Sequence, residues 1–251
     1  MFSPSTMKTF QLFSTSHLAV IGIFTLIFIL FLLSKNFFAH SKKHSSVGYI
    51  LLMILIFSEV SYQIWALSVG AWTMEKFIPI HLCSFATFLG IFLFFKKNEK
   101  LFSFYFYLGI IPPMLAIITP DLVYEFPHYR FIKFFIHHAT IPLMVIYIKY
   151  TKQYTIHFPS VFYGFLWLNI LAVPIFLFNR VFSTNYFFLG EAPEEKTALS
   201  FFGEGYAYYL NLEIAAFGVF LLTYLLSRIP FVYSYVGDMI VNKKMREHRT
   251  G

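Results

Sequence analysis

The chain has 251 residues, 58% of them hydrophobic, 22% aromatic and 12% charged, and its 35 phenylalanines exceed the 19 basic and 12 acidic side chains together. This excludes an ordinary soluble domain, which carries roughly a quarter charged residues, and intrinsic disorder. A disulfide framework is excluded because Cys83 is the only cysteine. The net charge of +7 could suit nucleic acid, but the basic residues lie scattered between apolar runs and no glycine-rich phosphate loop occurs.

A transmembrane helix needs about 20 mostly apolar residues, and seven such runs are predicted, at residues 18–34, 47–72, 79–95, 101–119, 131–150, 159–182 and 206–228. Pro112 and Pro113 are expected to kink the fourth. Assigning each Lys and Arg to its nearest inter-span segment puts 13 of the 19 on the side of the C-terminus. The positive-inside rule then orients the N-terminus outside and the C-terminus in the cytoplasm. The expected fold is therefore all-α, one seven-helix membrane bundle over residues 1–228. Residues 229–251 form a basic cytoplasmic tail with Lys243, Lys244, Arg246 and Arg249, suited to anionic lipid or simply to water.

Ionisable groups at membrane depth are costly, so each is a site candidate until a partner explains it. They are Glu59, His81, Cys83, His137, His138 and Glu213, joined by the amides Gln63, Asn169 and Asn179. At 1.5 Å per residue, Cys83 lies about 6 Å, His137 about 9 Å and Glu213 about 10 Å into their spans from the outer side. Polar loops cap the same half: Thr119-Pro120-Asp121 after the fourth span, and Asn185, Tyr186, Glu191, Glu194 and Glu195 after the sixth. His81 and Cys83, two residues apart, diverge if the helix begins at Pro79, so a base for Cys83 comes more plausibly from His137 or His138. Those two neighbours are about 100° apart, and only one can aim into a common pocket. Each residue also has a structural reading, as a hydrogen-bonding link between helices or, for Cys83, as a small buried hydrophobe. A zinc site from His81, His137 and His138 lacks a His-x-x-x-His spacing.

The strings Pro79-Ile80-His81-Leu82-Cys83, Thr119-Pro120-Asp121, Phe134-Phe135-Ile136-His137, Trp167-Leu168-Asn169, Asn185-Tyr186 and Leu212-Glu213 occur in this order. Together they resemble the YwaF-like family of bacterial integral membrane proteins over residues 79–226, with the first two spans matched only by hydropathy. That family is similar to the transmembrane protein 164 group, membrane acyltransferases that use a cysteine centre to move fatty acyl chains between phospholipids. The resemblance implies Cys83 as acyl-accepting nucleophile and His137 as the base or acid beside it. His81, His138, Asp121, Asn169, Asn185, Tyr186, Glu213 and Glu59 are supporting or substrate-binding candidates. His138 stands where the bacterial pattern often has a small residue, so either histidine can be the base. Thr87 or Asn185 could serve as oxyanion donor. No cofactor or metal is expected; the implied substrates are membrane phospholipids and lysolipids, with no nucleic-acid partner, in a multi-pass protein of the bacterial cell membrane. Two other readings compete. Glu59, Gln63, Asn169 and Glu213 could line a proton-coupled solute route, or the chain could be a non-catalytic scaffold.

Overall fold

Hydrocarbon offers backbone N–H and C=O groups no partner, so apolar runs of this length must satisfy them internally, as helices. The computed structural model describes residues 2–3, 8–40, 46–194 and 197–247, without the side chains of His40 and of residues 230–247. Among the described residues lie ten α-helices: α1 (Thr15–Leu33), α2 (Lys35–His40), α3 (Ser46–Ser68), α4 (Met74–Phe77), α5 (Leu82–Phe95), α6 (Glu99–Gly109), α7 (Ile111–Ile118), α8 (Tyr129–Thr151), α9 (Pro159–Phe182) and α10 (Gly205–Glu247). Two 3-10 turns, Tyr186–Phe188 and Ala198–Phe201, interrupt the loop before α10.

Six segments are long and apolar enough to cross a membrane: α1, α3, the stretch Glu99–Ile118, α8, α9 and Gly205–Ile229. The segment Glu99–Ile118 contains α6 and α7, which part at Ile110 (φ −100°, ψ −81°). The cause is the predicted one, since Pro112 and Pro113 offer no N–H to the preceding turn and their rings crowd its carbonyls. The third predicted span departs from expectation. Pro79 disfavours helical geometry at Ile78 (φ −61°, ψ 129°), and His81 is the extended N-cap of a helix that starts only at Leu82. The resulting 14 residues of α5 cover about 21 Å, against a hydrocarbon core of about 30 Å.

Helix α8 is the hub. It packs against α1, α2, α3, α5, α6 and α7, and 72% of its apolar window is buried, against 11% for α1, α9 and Gly205–Ile229. At one end of the bundle three helices are in register. The Tyr49 ring near the start of α3 meets Phe94 edge-on at 5.3 Å. The Lys152 ammonium after α8 caps α5 by donating to the carbonyls of Leu93, Phe94 and Lys96 at 2.6, 3.0 and 3.2 Å. At the other end the N-terminal segment lies over the loop before α8: the Phe10 N–H donates to the Val123 carbonyl at 2.7 Å, and Ser14 and Ser16 hydrogen-bond Glu125. The backbone of α10 continues through residue 228 to Glu247. The side chains of Lys243, Lys244 and Arg246, and the whole of Glu195 and Arg249, lie outside the described residues.

Candidate active site

Because α3, α5 and α8 share a level at one end, the rise per residue measures height along all three. Cys83 stands about 18 Å above Phe95, Glu59 about 20 Å above Ser46 and His137 about 21 Å above Thr151. The three are therefore neighbours in depth. The late start of α5 achieves this: at 23 residues each, α3 and α8 run about 13 Å further than α5, and the chain from Thr73 to His81, including α4, occupies that gap. Cys83 thus sits below this segment rather than 6 Å into an unbroken span.

His137, only 1% exposed, is held by both ring nitrogens. Nδ1 lies 3.0 Å from the Ser58 hydroxyl, and Nε2 lies 3.3 Å from the Thr87 hydroxyl and 3.4 Å from Glu59 Oε1. The donor at each contact depends on the tautomer. Glu59 is buried, and its Oε1 has no directed hydrogen bond, so its approach to the imidazole lacks hydrogen-bond alignment and becomes a charge pair only when the ring is protonated. His137 also faces the Cys83 backbone carbonyl. Cys83 is half-buried in the first turn of α5, one turn before Thr87, and Lys133 and Glu59 are the charged groups that act on it. Among the described residues no hydrogen bond joins its sulfur to His137. The backbone N–H groups of Cys83 and Ser84 are also unengaged there, because α5 is bonded only from Phe85 N–H to the His81 carbonyl onward.

The other sequence candidates divide into separate groups. The His81 ring packs edge-on against Tyr186 (4.6 Å), with Nε2 3.2 Å from the Lys76 carbonyl. The Tyr186 hydroxyl donates to the Met74 carbonyl at 2.5 Å and accepts from the Ile78 N–H at 3.0 Å, which fixes the segment leading to Cys83. Asn179 braces Tyr186 in turn, donating to its carbonyl and accepting its N–H. His138 bonds the Phe134 carbonyl of its own helix at 2.8 Å and points away from the Ser58–Glu59–Thr87 cluster. Asn185 closes its own loop through Gly190 and Glu191, and Asp121 is exposed in the loop before α8. Glu213 is exposed on α10 and accepts from Asn169 of α9 at 3.2 Å, so it does not join Cys83 and His137. Gln63 ties the Phe77 carbonyl to the Trp72 indole. The polar residues of a supposed transport route are thereby split between two places in the bundle. Two clefts lie elsewhere, an apolar one of about 250 Å³ beside Phe31 and Phe38 and one of about 150 Å³ beside Asn179 and Arg180. Among the described residues no three His, Cys, Asp or Glu side chains gather into a group able to hold a metal.

Sequence reasoning missed Ser58, Lys133 and Arg130. Arg130, Lys133 and His137 occupy positions i, i+3 and i+7 of one helix and so share a face; that spacing was the available signal, obscured because the two cations read as loop charges. Arg130 and Lys133 both lie 4.3 Å from the ring centre of Tyr62, one turn along α3 from Glu59.

An all-helical bundle with six membrane-length apolar segments is that of a polytopic membrane protein. The chain belongs to the TMEM164 family, whose model matches residues 12–224. The match takes in the first two apolar segments, beyond the reach of the sequence motifs. No curated protein and no solved structure gave a significant match.

Proposed function

We propose that this protein is a membrane-embedded lipid acyltransferase in which Cys83 carries the acyl chain as a thioester. The observation that carries the reading is the convergence of Cys83 with the His137–Glu59 pair (3.4 Å) at one depth on three packed helices. The activity implied by the resemblance to the transmembrane protein 164 group supports it. Cys83 Sγ gives its proton to His137, relayed by the Thr87 hydroxyl that touches Nε2, and attacks the ester carbonyl carbon of a phospholipid. Glu59 stabilises by its charge the imidazolium that forms, from the same Nε2 side as the relay, and Ser58 fixes the ring through Nδ1. The N–H groups of Cys83 and Ser84 receive the oxyanion, because Thr87 is engaged by the base. When the ester C–O bond breaks, His137 returns the proton to the departing lysolipid oxygen. A lysolipid hydroxyl then attacks the thioester by the reverse route, so no cofactor is required.

The reading includes seven crossings, with α5 and its preceding segment completing the third, the N-terminus outside, the C-terminus inside, and residence in a bacterial cell membrane as a YwaF-like protein. The test is acyl exchange between a labelled phospholipid and an unlabelled lysophospholipid by purified protein. Cys83→Ala abolishes exchange, and His137→Ala lowers its rate by about 10²–10⁴-fold. Full exchange by Cys83→Ala, or solute uptake that needs Glu59 and ignores Cys83, overturns the proposal.

A further inference from the structure

The mouth of this site carries two cations that the chemistry above does not use. Arg130 and Lys133 stand two turns and one turn nearer the start of α8 than His137, roughly 11 and 6 Å above it. Both are half-buried, so neither is simply a solvated surface charge. The Arg130 guanidinium lies 4.3 Å from the ring centre of Tyr62, 5.6 Å from Trp65 and 5.9 Å from Tyr124, and the Lys133 ammonium lies 4.3 Å from that of Tyr62. Among the described residues the one acid–base contact within ion-pair distance is His137–Glu59, so no described carboxylate comes that close to either cation. Nor does any hydrogen bond to a backbone carbonyl occupy them, in contrast to Lys152, whose ammonium is spent on three.

Holding a cation by aromatic faces has a chemical consequence. Stacking immobilises the charge, and beyond the hydrogen bond that Arg130 makes to the Tyr62 hydroxyl it leaves N–H groups that point outward in the guanidinium plane able to donate. Arg130 offers a planar fork that matches two oxygens of a phosphate, and Lys133 adds a point charge between that fork and the buried carboxylate of Glu59. Glu59 acts on Lys133 from beyond ion-pair distance and faces His137, so two cations half out of water favour an anion that completes the arrangement. We infer that Arg130 and Lys133 form a binding site for the phosphate of a phospholipid headgroup, which anchors the lipid so that its acyl ester lies beside Cys83. The position relative to Cys83 rests on the acyltransferase reading; the phosphate site itself does not.

The experiment is therefore done with full-length Cys83→Ala protein, in which no acyl transfer can occur. Native mass spectrometry measures retention of dioleoyl phosphatidylglycerol and of dioleoylglycerol, which has the same chains and no phosphate, and sodium phosphate is added as competitor. The phosphatidylglycerol is expected to be retained with at least about tenfold higher affinity than the diacylglycerol, a preference that Arg130→Gln and Lys133→Gln each reduce by roughly tenfold. Arg130→Lys and Lys133→Arg keep the charge, so they test the site without emptying it; Arg130→Lys gives up the planar fork and is expected to lose part of the preference, while Lys133→Arg is expected to retain most of it. Equal retention of the two lipids, or a preference unchanged in both Gln variants, overturns the site. Displacement by millimolar sodium phosphate would assign it to the free ion and overturn the headgroup. A phosphate-dependent preference in Cys83→Ala, with no acyl adduct on the wild-type protein incubated with the same phospholipid, would keep the site and remove the acyltransferase.

Discussion

Glu59 shows how much one residue depends on its partner. A carboxylate this deep is costly alone, and among the described residues the basic group within ion-pair distance of it is the His137 imidazole, which carries charge only when protonated. Glu59→Gln removes the charge and keeps the shape. We expect it to slow acyl exchange at least tenfold with little change in lysolipid affinity, read as a fall in kcat at constant KM. Outside the spans, Glu125 answers to pH. Burial pushes its carboxyl up, but the hydroxyl of Ser16, the N–H groups of Phe126 and Gln11 and the hydroxyl of Ser14 together hold it below its ordinary 4.5. A carboxyl lowered in the folded state contributes stability that is present above 4.5 and is lost as the pH falls through its lower folded value. Hydrogen-exchange protection in residues 8–17, relative to the intrinsic rate at each pH, should therefore fall on acidification below that range, and Glu125→Gln should lower it at neutral pH. Unchanged protection in both would separate the N-terminal segment from Glu125. Cys83 and His137 were legible from type and position, whereas Ser58 was not, because a serine in an apolar helix commonly bonds its own backbone and carries no signal of the histidine opposite.

At the scale of elements, the short α5 and the segment folded over its start set the site. Tyr186 is fully buried, and its hydroxyl bonds both Met74 and Ile78. Tyr186→Phe leaves those two backbone groups unpaired at a cost of about 1–3 kcal/mol. The segment should loosen, and alkylation of Cys83 by N-ethylmaleimide should quicken several-fold; an unaltered rate would mean that the segment does not guard the sulfur. Close helix contact matters equally. A Cβ at Gly48 would run into the buried ring of Tyr147, so α3 approaches α8 only because this residue has no side chain. Gly48→Ala should cost about 1–3 kcal/mol, seen as a lower melting temperature in detergent. The break at Ile110 could be read from two adjacent prolines, but the truncation of α5 could not be read from hydropathy. Residues 79–81 are apolar enough to continue a span, and the geometry that Pro79 imposes backward on Ile78 is invisible to a composition window.

For the whole molecule, apolar content alone dictated helices in lipid, and the helical bundle with six membrane-length segments follows from it. Which helix lies at the centre was not legible: α8 carries three cations and two histidines, yet it is the buried hub, because His137 faces α3 and α5 and Arg130 and Lys133 stack on Tyr62 of α3. Glu213 appeared level with Cys83 by counting residues, but counting gives height and not azimuth, and the fold sends it to Asn169 instead. With seven crossings, reporters fused to the two termini should report opposite sides of the membrane; the same side for both would leave α5 outside the count of spans. The most direct measurement of the central claim is the intact mass of the purified protein after incubation with a phospholipid bearing a labelled acyl chain, beside Cys83→Ala. The account predicts one added acyl mass, released by neutral hydroxylamine and absent from the variant; an unmodified protein with no lysolipid formed would contradict it.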